Sequence, residues 1–200
     1  PKKIYNSMGD IHTVLSISDK IELASNKIES IIKRVMDFSK PGKPRFIMTN
    51  INENIDEVTK LTAVSLRKNG IQFIKNLDPT LPDCWNEPHL IEQVVLNLIT
   101  NAAEAMKGYD GEKIIEIKTY RGKDCIAISI KDSGPGIPES SQSKIFDPFH
   151  TTKTNSSGIG LSICHRIITD HGGSLRYNAG MKKGAQFIIE LPLQKYERQT

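Results

Sequence analysis

What most constrains this chain is a change of hydrophobic period at Gly108. Before it, Leu90, Ile91, Val94, Val95, Leu98 and Ile99 recur at helical spacing, so residues 88–107 predict a helix with one inward face. After it, residues 113–120 and 124–131 alternate apolar and polar around Arg121-Gly122, the pattern of a β-hairpin. Residues 174–178 and 185–191 form a second such pair, joined by a glycine-bearing turn and closed by Pro192. Between the pairs, residues 158–171 read as a helix stopped by Gly172-Gly173. Helices and strands in mixed order, with antiparallel hairpins at the end, predict an α+β sandwich: one sheet with helices on one face.

Upstream the pattern differs. Ile21, Ala24, Ile28, Ile31, Val35 and Phe38 step by three and four behind an Asp19–Glu22 capping box. That predicts a long helix with a single apolar stripe, ended by Pro41-Gly42-Lys43-Pro44. The stripe must be buried, and a helix from residues 1–17 or from a second chain would cover it. The expected division is a helical segment over 1–42 and an α+β domain over 43–200. In the second part, 46–49 predicts a short strand. Ile51, Ile55, Val58, Leu61, Thr62 and Leu66 predict the inward face of a helix that Asn69-Gly70 stops. Ile71, Phe73 and Ile74 begin a strand, and residues 78–88, with three prolines, read as a loop.

Lys and Arg number 27 against 23 Asp and Glu, a net +4 spread without a basic block, so nucleic acid is not an expected partner. Cys84, Cys125 and Cys164 are odd in number and lack metal-ligand spacing, which predicts free thiols in a reducing compartment. No apolar run is long enough to span a bilayer. The chain begins at Pro1 and reads as the cytoplasmic portion of a longer protein, attached to a membrane only through other parts.

Four features carry possible chemistry. Asn97 and Asn101 lie four apart on one helix face, where neutral carboxamides can hold a hydrated divalent cation or phosphate oxygens; alone, they equally describe a polar helix face. Asp132-Ser133-Gly134-Pro135-Gly136-Ile137 follows a strand, where the glycines permit close backbone approach and the Asp can accept from an exocyclic amine, or else form a tight turn. Ser157-Gly158-Ile159-Gly160-Leu161 opens a helix whose first N–H groups can bind phosphate, with helix packing the plainer alternative. It is neither a dinucleotide fingerprint nor a P-loop, lacking the third glycine and the Gly-Lys-Ser/Thr. Finally, Phe146, Pro148 and Phe149 precede His150-Thr151-Thr152-Lys153, where aromatics could anchor a loop and Lys153 reach an anion.

The order of these features decides between the readings. Paired Asn, Asp-x-Gly-x-Gly, Phe-x-Pro-Phe, Thr-Thr-Lys and Gly-x-Gly-Leu, in compact succession over residues 87–192, resemble the N, G1, F and G2 boxes of bacterial sensor histidine kinases. The wider superfamily includes gyrase-type topoisomerases and the ninety-kilodalton heat-shock chaperone. Glu104-Ala105-Met106 and the Thr-Thr-Lys loop resemble the nitrogen-regulatory type in particular. The resemblance implies a two-layer sandwich with a mixed sheet, ATP and Mg2+ as ligands, and phosphoryl transfer to a histidine and onward to a response regulator receiver domain. It implies that Asn101, with Asn97 beside it, ligates magnesium and that Asp132 accepts from the adenine amino group. Gly134, Gly136 and Ile137 would shape the adenine pocket. Phe149, Thr151, Thr152, Lys153, Ser157, Gly158, Ile159, Gly160 and Leu161 would form the lid and the phosphate cradle. Related hydrolases carry a water-activating Glu where this chain has Asn97, which favours transfer to a side chain over hydrolysis.

The resemblance further implies that residues 18–40 are the second helix of a dimerisation hairpin, so a homodimer is expected through them. The phosphoacceptor histidine is expected outside this chain: His12 is followed by Thr13, no proline comes soon after, and it lies too close to the second helix. The fragment alone is therefore not expected to autophosphorylate. A nucleotide-binding scaffold without kinase activity is the alternative, and an ATP-hydrolysing clamp a weaker third. His89, His165 and His171 are expected to be structural.

Overall fold

The computed structural model describes residues 14–18, 45–151, 153, 157–181 and 183–194. The chain divides into two compact units, Pro1–Gly42 and Lys43–Thr200. Of the first unit only residues 14–18 are described, and they are helical. The stripe Ile21–Phe38, its capping box and His12 lie outside the described residues.

The second unit is built from β1 (Ile47–Thr49), α1 (Ile51–Lys68), β2 (Gln72–Asn76), β3 (Cys84–Asn86), α2 (Pro88–Ala105), β4 (Ile114–Arg121), β5 (Cys125–Asp132), α3 (Glu139–Gln142), α4 (Gly160–Asp170), β6 (Ser174–Tyr177) and β7 (Gln186–Pro192). Five strands form one sheet in the order β2-β4-β5-β7-β6. The β2–β4 pair is parallel and the remaining pairs are antiparallel, so the sheet is mixed. β1 and β3 make a separate antiparallel ribbon. Residues 78–88 are thus not all loop: a three-residue strand is too short to show a period, and only its partner, 37 residues away, defines it.

The register places the apolar half of each strand on one face. Ile117 lies opposite Ile130, and Ile130 and Ile128 lie opposite Phe187 and Ile189 on β7. These side chains join Ile91, Val94, Val95, Leu98 and Ile99 of α2 in one buried core. α2 packs between α1 and α4 and over β4 and β5, while α4 meets β6 and α1 meets β2.

Caps fix the helix ends. The Asn50 side chain accepts from Asn52 N–H at 3.0 Å at the start of α1. Glu87 accepts from Leu90 N–H at 2.8 Å at the start of α2, where Pro88 needs no donor partner. On α1, Leu61 departs from the expected inward face and is 75% exposed. Steps of four and three from Ile51 through Ile55 and Val58 continue to the half-buried Thr62, whose hydroxyl donates to Val58 O at 2.9 Å, and this rotation turns Leu61 outward.

His171 ties two helices together. It caps α4, with Nδ1 2.7 Å from Ile167 O, and its Nε2 accepts from Glu87 N–H at 3.1 Å. Accepting at Nε2 leaves the proton on Nδ1, the neutral imidazole. Burial lowers its pKa from the ordinary value accordingly. Its ring also meets Phe46 edge-on, with centroids 4.8 Å apart. The structural role expected for it is the role it has.

Candidate functional site

Asn97 and Asn101 sit half-buried on the solvent-side flank of α2 while Leu98, Ile99 and Ala102 anchor the helix in the core. The Asn97 amide donates through Nδ2 to the Cys164 sulfur at 3.2 Å. Gly160, the first residue of α4, lies close against it: a Cβ there would come within 2.6 Å of Asn97 Oδ1. The glycine at this position therefore serves close helix–helix approach as well as the helix start. α4 begins without a side-chain cap, because Ile159 stands at the N-cap position, so its first N–H groups have no capping oxygen.

Lys153 reaches the same helix from the loop. Its Nζ lies 2.8 Å from Glu104 Oε2 and donates to the Asn101 carbonyl at 3.4 Å. Thr151 Oγ1 accepts from Lys153 N–H at 3.1 Å and fixes the local turn. Thr152 and residues 154–156 lie outside the described residues. The two ends of this loop meet where Phe149 N–H donates to Gly158 O at 3.1 Å. A Cβ at Gly158, whose φ is +67°, would come within 2.6 Å of Phe149 C. Phe149 is the one non-glycine residue with positive φ among the described residues, and its ring is 74% exposed. A bulky side chain in that conformation is costly and marks a constrained loop base.

Asp132 ends β5 at the other side of the site, 5% exposed. Its Oδ1 accepts from Gly134 N–H at 2.8 Å and from Ala185 N–H at 3.2 Å. Among the described residues no hydrogen bond reaches Oδ2. Burial raises the Asp132 pKa, against the pull of the two backbone N–H groups and the charge of Lys153. Three glycines allow the backbone to pack closely around Asp132. A Cβ at Gly134 would lie 2.9 Å from Asp132 Oδ1, one at Gly136 2.9 Å from Gly184 O, and one at Gly184 1.9 Å from Asp132 O. Ile137 is half-buried against the core and its carbonyl accepts from Gln142.

The structure thus brings Asn97, Asn101 and Lys153 together, with Gly160 against Asn97 and the glycines closed around Asp132. Ser157 is half-buried and Leu161 packs against the core. Ile159 puts its side chain into the core at 4% exposed, so any contact it makes with a ligand is through its backbone. Sequence reasoning missed Gly184 and Ala185, read only as part of a turn and a strand, and missed Cys164 and Glu104 as partners of Asn97 and Lys153.

The donor set suits Mg2+. Among the described residues there is no cluster of three or more His, Cys, Asp or Glu able to cage a metal. Mg2+ keeps several waters and takes few protein oxygens beside substrate phosphates, and neutral carboxamides beside a lysine meet that need. Asp132 presents one carboxylate oxygen fixed by backbone and one left open among the described residues, an acceptor suited to an amine.

The family model for the histidine kinase-, DNA gyrase B-, and HSP90-like ATPase matches residues 86–195, and the chain belongs to this family. It is 34% identical over 176 residues to the signal transduction histidine-protein kinase AtoS of Escherichia coli (strain K12), covering 88% of this chain and 28% of AtoS. To the sensory histidine kinase/phosphatase NtrB of Azospirillum brasilense it is 30% identical, covering 84% and 45%. The chain therefore spans less than half of the curated relatives it matches. The solved catalytic domain of histidine kinase ThkA is 37% identical, with a TM-score of 0.67 over 74% of this chain and 96% of that one. ThkA bound to response regulator protein TrrA matches at 34% identity and a TM-score of 0.71, over 86% and 48%. No helix among the described residues is long and apolar enough to cross a membrane.

Proposed function

We propose that residues 43–200 are the ATP-binding catalytic domain of a two-component sensor histidine kinase, and that residues 1–42 are part of its dimerisation and phosphotransfer hairpin. The carrying observation is Asp132: a buried carboxylate with one oxygen fixed by two backbone N–H groups and the other without a hydrogen bond among the described residues, among closely packed glycines. Oδ2 accepts from the adenine amine of ATP. Gly134, Gly136 and Gly184 let the backbone pack closely around Asp132 and so fix where that oxygen stands.

At the far end, Asn97 and Asn101 would hold Mg2+, which when bound would neutralise phosphate charge. Lys153 exchanges Glu104 for phosphate oxygens, and the uncapped N–H groups at Gly160 and Leu161 face the same anion. Lys153 belongs to the segment 150–157 that the resemblance makes the ATP lid, and the Phe149–Gly158 hydrogen bond stands at its base. Catalysis is then positioning and charge neutralisation. A histidine nitrogen attacks the γ-phosphorus, the bond to the bridging oxygen breaks, and ADP leaves. Asn97 cannot take a proton from water, which disfavours hydrolysis. The phosphoryl group passes to an aspartate of a response regulator receiver domain, a partner class supported by the ThkA–TrrA complex. Residues 18–40 pair two copies, and the work is done in the cytoplasm.

Calorimetric titration of this chain with Mg-ATP, beside Asp132→Ala, tests the pocket. Binding in the parent and loss in the variant is expected, and equal binding in both overturns the assignment. Acid-labile, alkali-stable phosphate on a supplied acceptor helix is the expected mark of the kinase. Binding without such phosphate would leave a nucleotide-binding scaffold.

A further inference from the structure

Cys164 lies on α4 beneath the site, and nothing in the proposed chemistry uses it. It is buried, and burial pushes its thiol up to about 12, so it stays protonated and unreactive at neutral pH. Its contacts are specific. Asn97 Nδ2 donates to Sγ at 3.2 Å, and the thiol in turn faces Val94 O at 3.9 Å. With its proton directed at that carbonyl, the sulfur has only lone pairs left for Asn97, and a lone pair selects the NH2 end of the carboxamide. Asn97 Oδ1 is thereby turned the other way, toward the start of α4, where Gly160 supplies the space that a Cβ would occupy at 2.6 Å. Among the described residues no hydrogen bond reaches that oxygen.

We infer that Cys164 is a positioning residue that sets the orientation of the Asn97 carboxamide, presenting its oxygen, and not its NH2, to the hydrated cation. An isolated carboxamide on a half-buried helix face has two nearly isosteric orientations. One offers an acceptor to a cation, and the other offers two hydrogens, which a cation repels. The Asn97–Cys164 bond removes the wrong orientation before ligand arrives, so the site spends no binding free energy selecting it. Gly160 lets the whole carboxamide lie against the start of α4, since a Cβ there would come within 2.6 Å of Oδ1 and 3.0 Å of Nδ2; the choice of end is left to Cys164. The inference rests on the nucleotide reading for its consequence, but the orientation itself is a property of the ligand-free chain.

Two measurements on this chain separate those levels, using Cys164→Val, which keeps the volume and removes the acceptor, and Cys164→Ser, which keeps an acceptor and a donor. The first is the NMR spectrum of the Asn97 side-chain amide without ligand. An Nδ2 proton shifted by its acceptor and protected from exchange is expected in the parent and in Cys164→Ser, and an unshifted, faster-exchanging amide in Cys164→Val. The second is the gain in ADP affinity on adding Mg2+. Cys164→Val should lose roughly tenfold of that gain with metal-free ADP binding unchanged, the size of one lost hydrogen bond, and Cys164→Ser should stay within about threefold of the parent. An unchanged Asn97 amide in Cys164→Val overturns the inference, as does a Mg2+ gain retained in full. Equal loss in Val and Ser overturns it too, because a packing role would respond to both. If the parent binds no ADP, the nucleotide reading fails, and the amide spectrum still decides the orientation.

Discussion

The two ends of the site are held in opposite ways. Asp132 is fixed by backbone from three places in the chain: its own β5, the turn at Gly134, and the Gly184–Ala185 entry to β7. Lys153 is held by one ion pair to Glu104, with the two side chains 35% and 50% exposed, and by a 3.4 Å contact to a carbonyl. A buried acceptor held among glycines has little freedom to rearrange, because both of its hydrogen-bond donors are main chain. An exposed ion pair contributes about 0.2–1 kcal/mol and is displaced by any better anion. Recognition of a ring calls for the first kind of contact, and capture and release of a charged group calls for the second.

The largest expected effect breaks the rigid end. Gly184→Ala places a Cβ 1.9 Å from Asp132 O at a φ of +77°, and should cost roughly 3 kcal/mol or more in a thermal or denaturant melt. Gly70→Ala is the control, with φ +67° but nothing within 4 Å, and should cost only about 1–2 kcal/mol. Equal losses would mean that the cradle is not tightly closed.

Asp132→Asn separates recognition from stability. The amide oxygen keeps both backbone N–H bonds, while NH2 replaces the oxygen offered to the ligand. Nucleotide affinity should fall roughly 10–100-fold by calorimetry. Thermal stability should hold or rise, for a reason that can be signed. Burial lifts the folded pKa of Asp132 above its ordinary 3.8, so the stability it contributes is fully present below that value and is lost as pH rises through the folded pKa. The variant's advantage should therefore be greatest near neutral pH and vanish in acid.

His171 braces α2 and α4, which together carry Asn97, Gly160 and Cys164. Its folded pKa lies below the ordinary 6.5, so the unfolded chain binds the extra proton first. Stability should be fully present above pH 6.5 and fall as pH drops through the window beneath it, and His171→Gln should flatten that slope in a pH series of melts. An unchanged slope would place the acid sensitivity elsewhere.

The smallest effect belongs to the exposed contact. Glu104→Gln should change stability by less than about 1 kcal/mol and, by freeing Lys153, raise ATP affinity a few-fold. Lys153→Met should weaken ATP binding more than binding of a nucleotide without the terminal phosphate. If Glu104→Gln instead lowered affinity, Glu104 would be holding Lys153 in its working position, and the contrast between the two ends would disappear.

Several elements are legible in the sequence because their information is local. The eighteen-residue α2 carries its period, its proline start and its glycine stop within one stretch, and the β4–β5 hairpin carries its alternation on both sides of one turn. β3 and the four-residue α3 are too short to show any period. Leu61 shows the limit from the other side, since a list of apolar residues at steps of three and four admits positions that one buried face cannot all share. The same division runs through the site. Asn97, Asn101, Asp132 and both glycine loops stand out because each motif is contiguous and their order is informative. The partners that fix them are not contiguous: Cys164 lies 67 residues from Asn97, Ala185 lies 53 from Asp132, and Glu104 lies 49 from Lys153. By itself, then, the sequence determined the fold class, the long elements and the residues that could meet a nucleotide, since periodicity and residue chemistry are written along the chain. Only the tertiary structure decided which oxygen of Asp132 is available, which way Asn97 faces and what holds Lys153, because each depends on a side chain or backbone group that folding brings from far away.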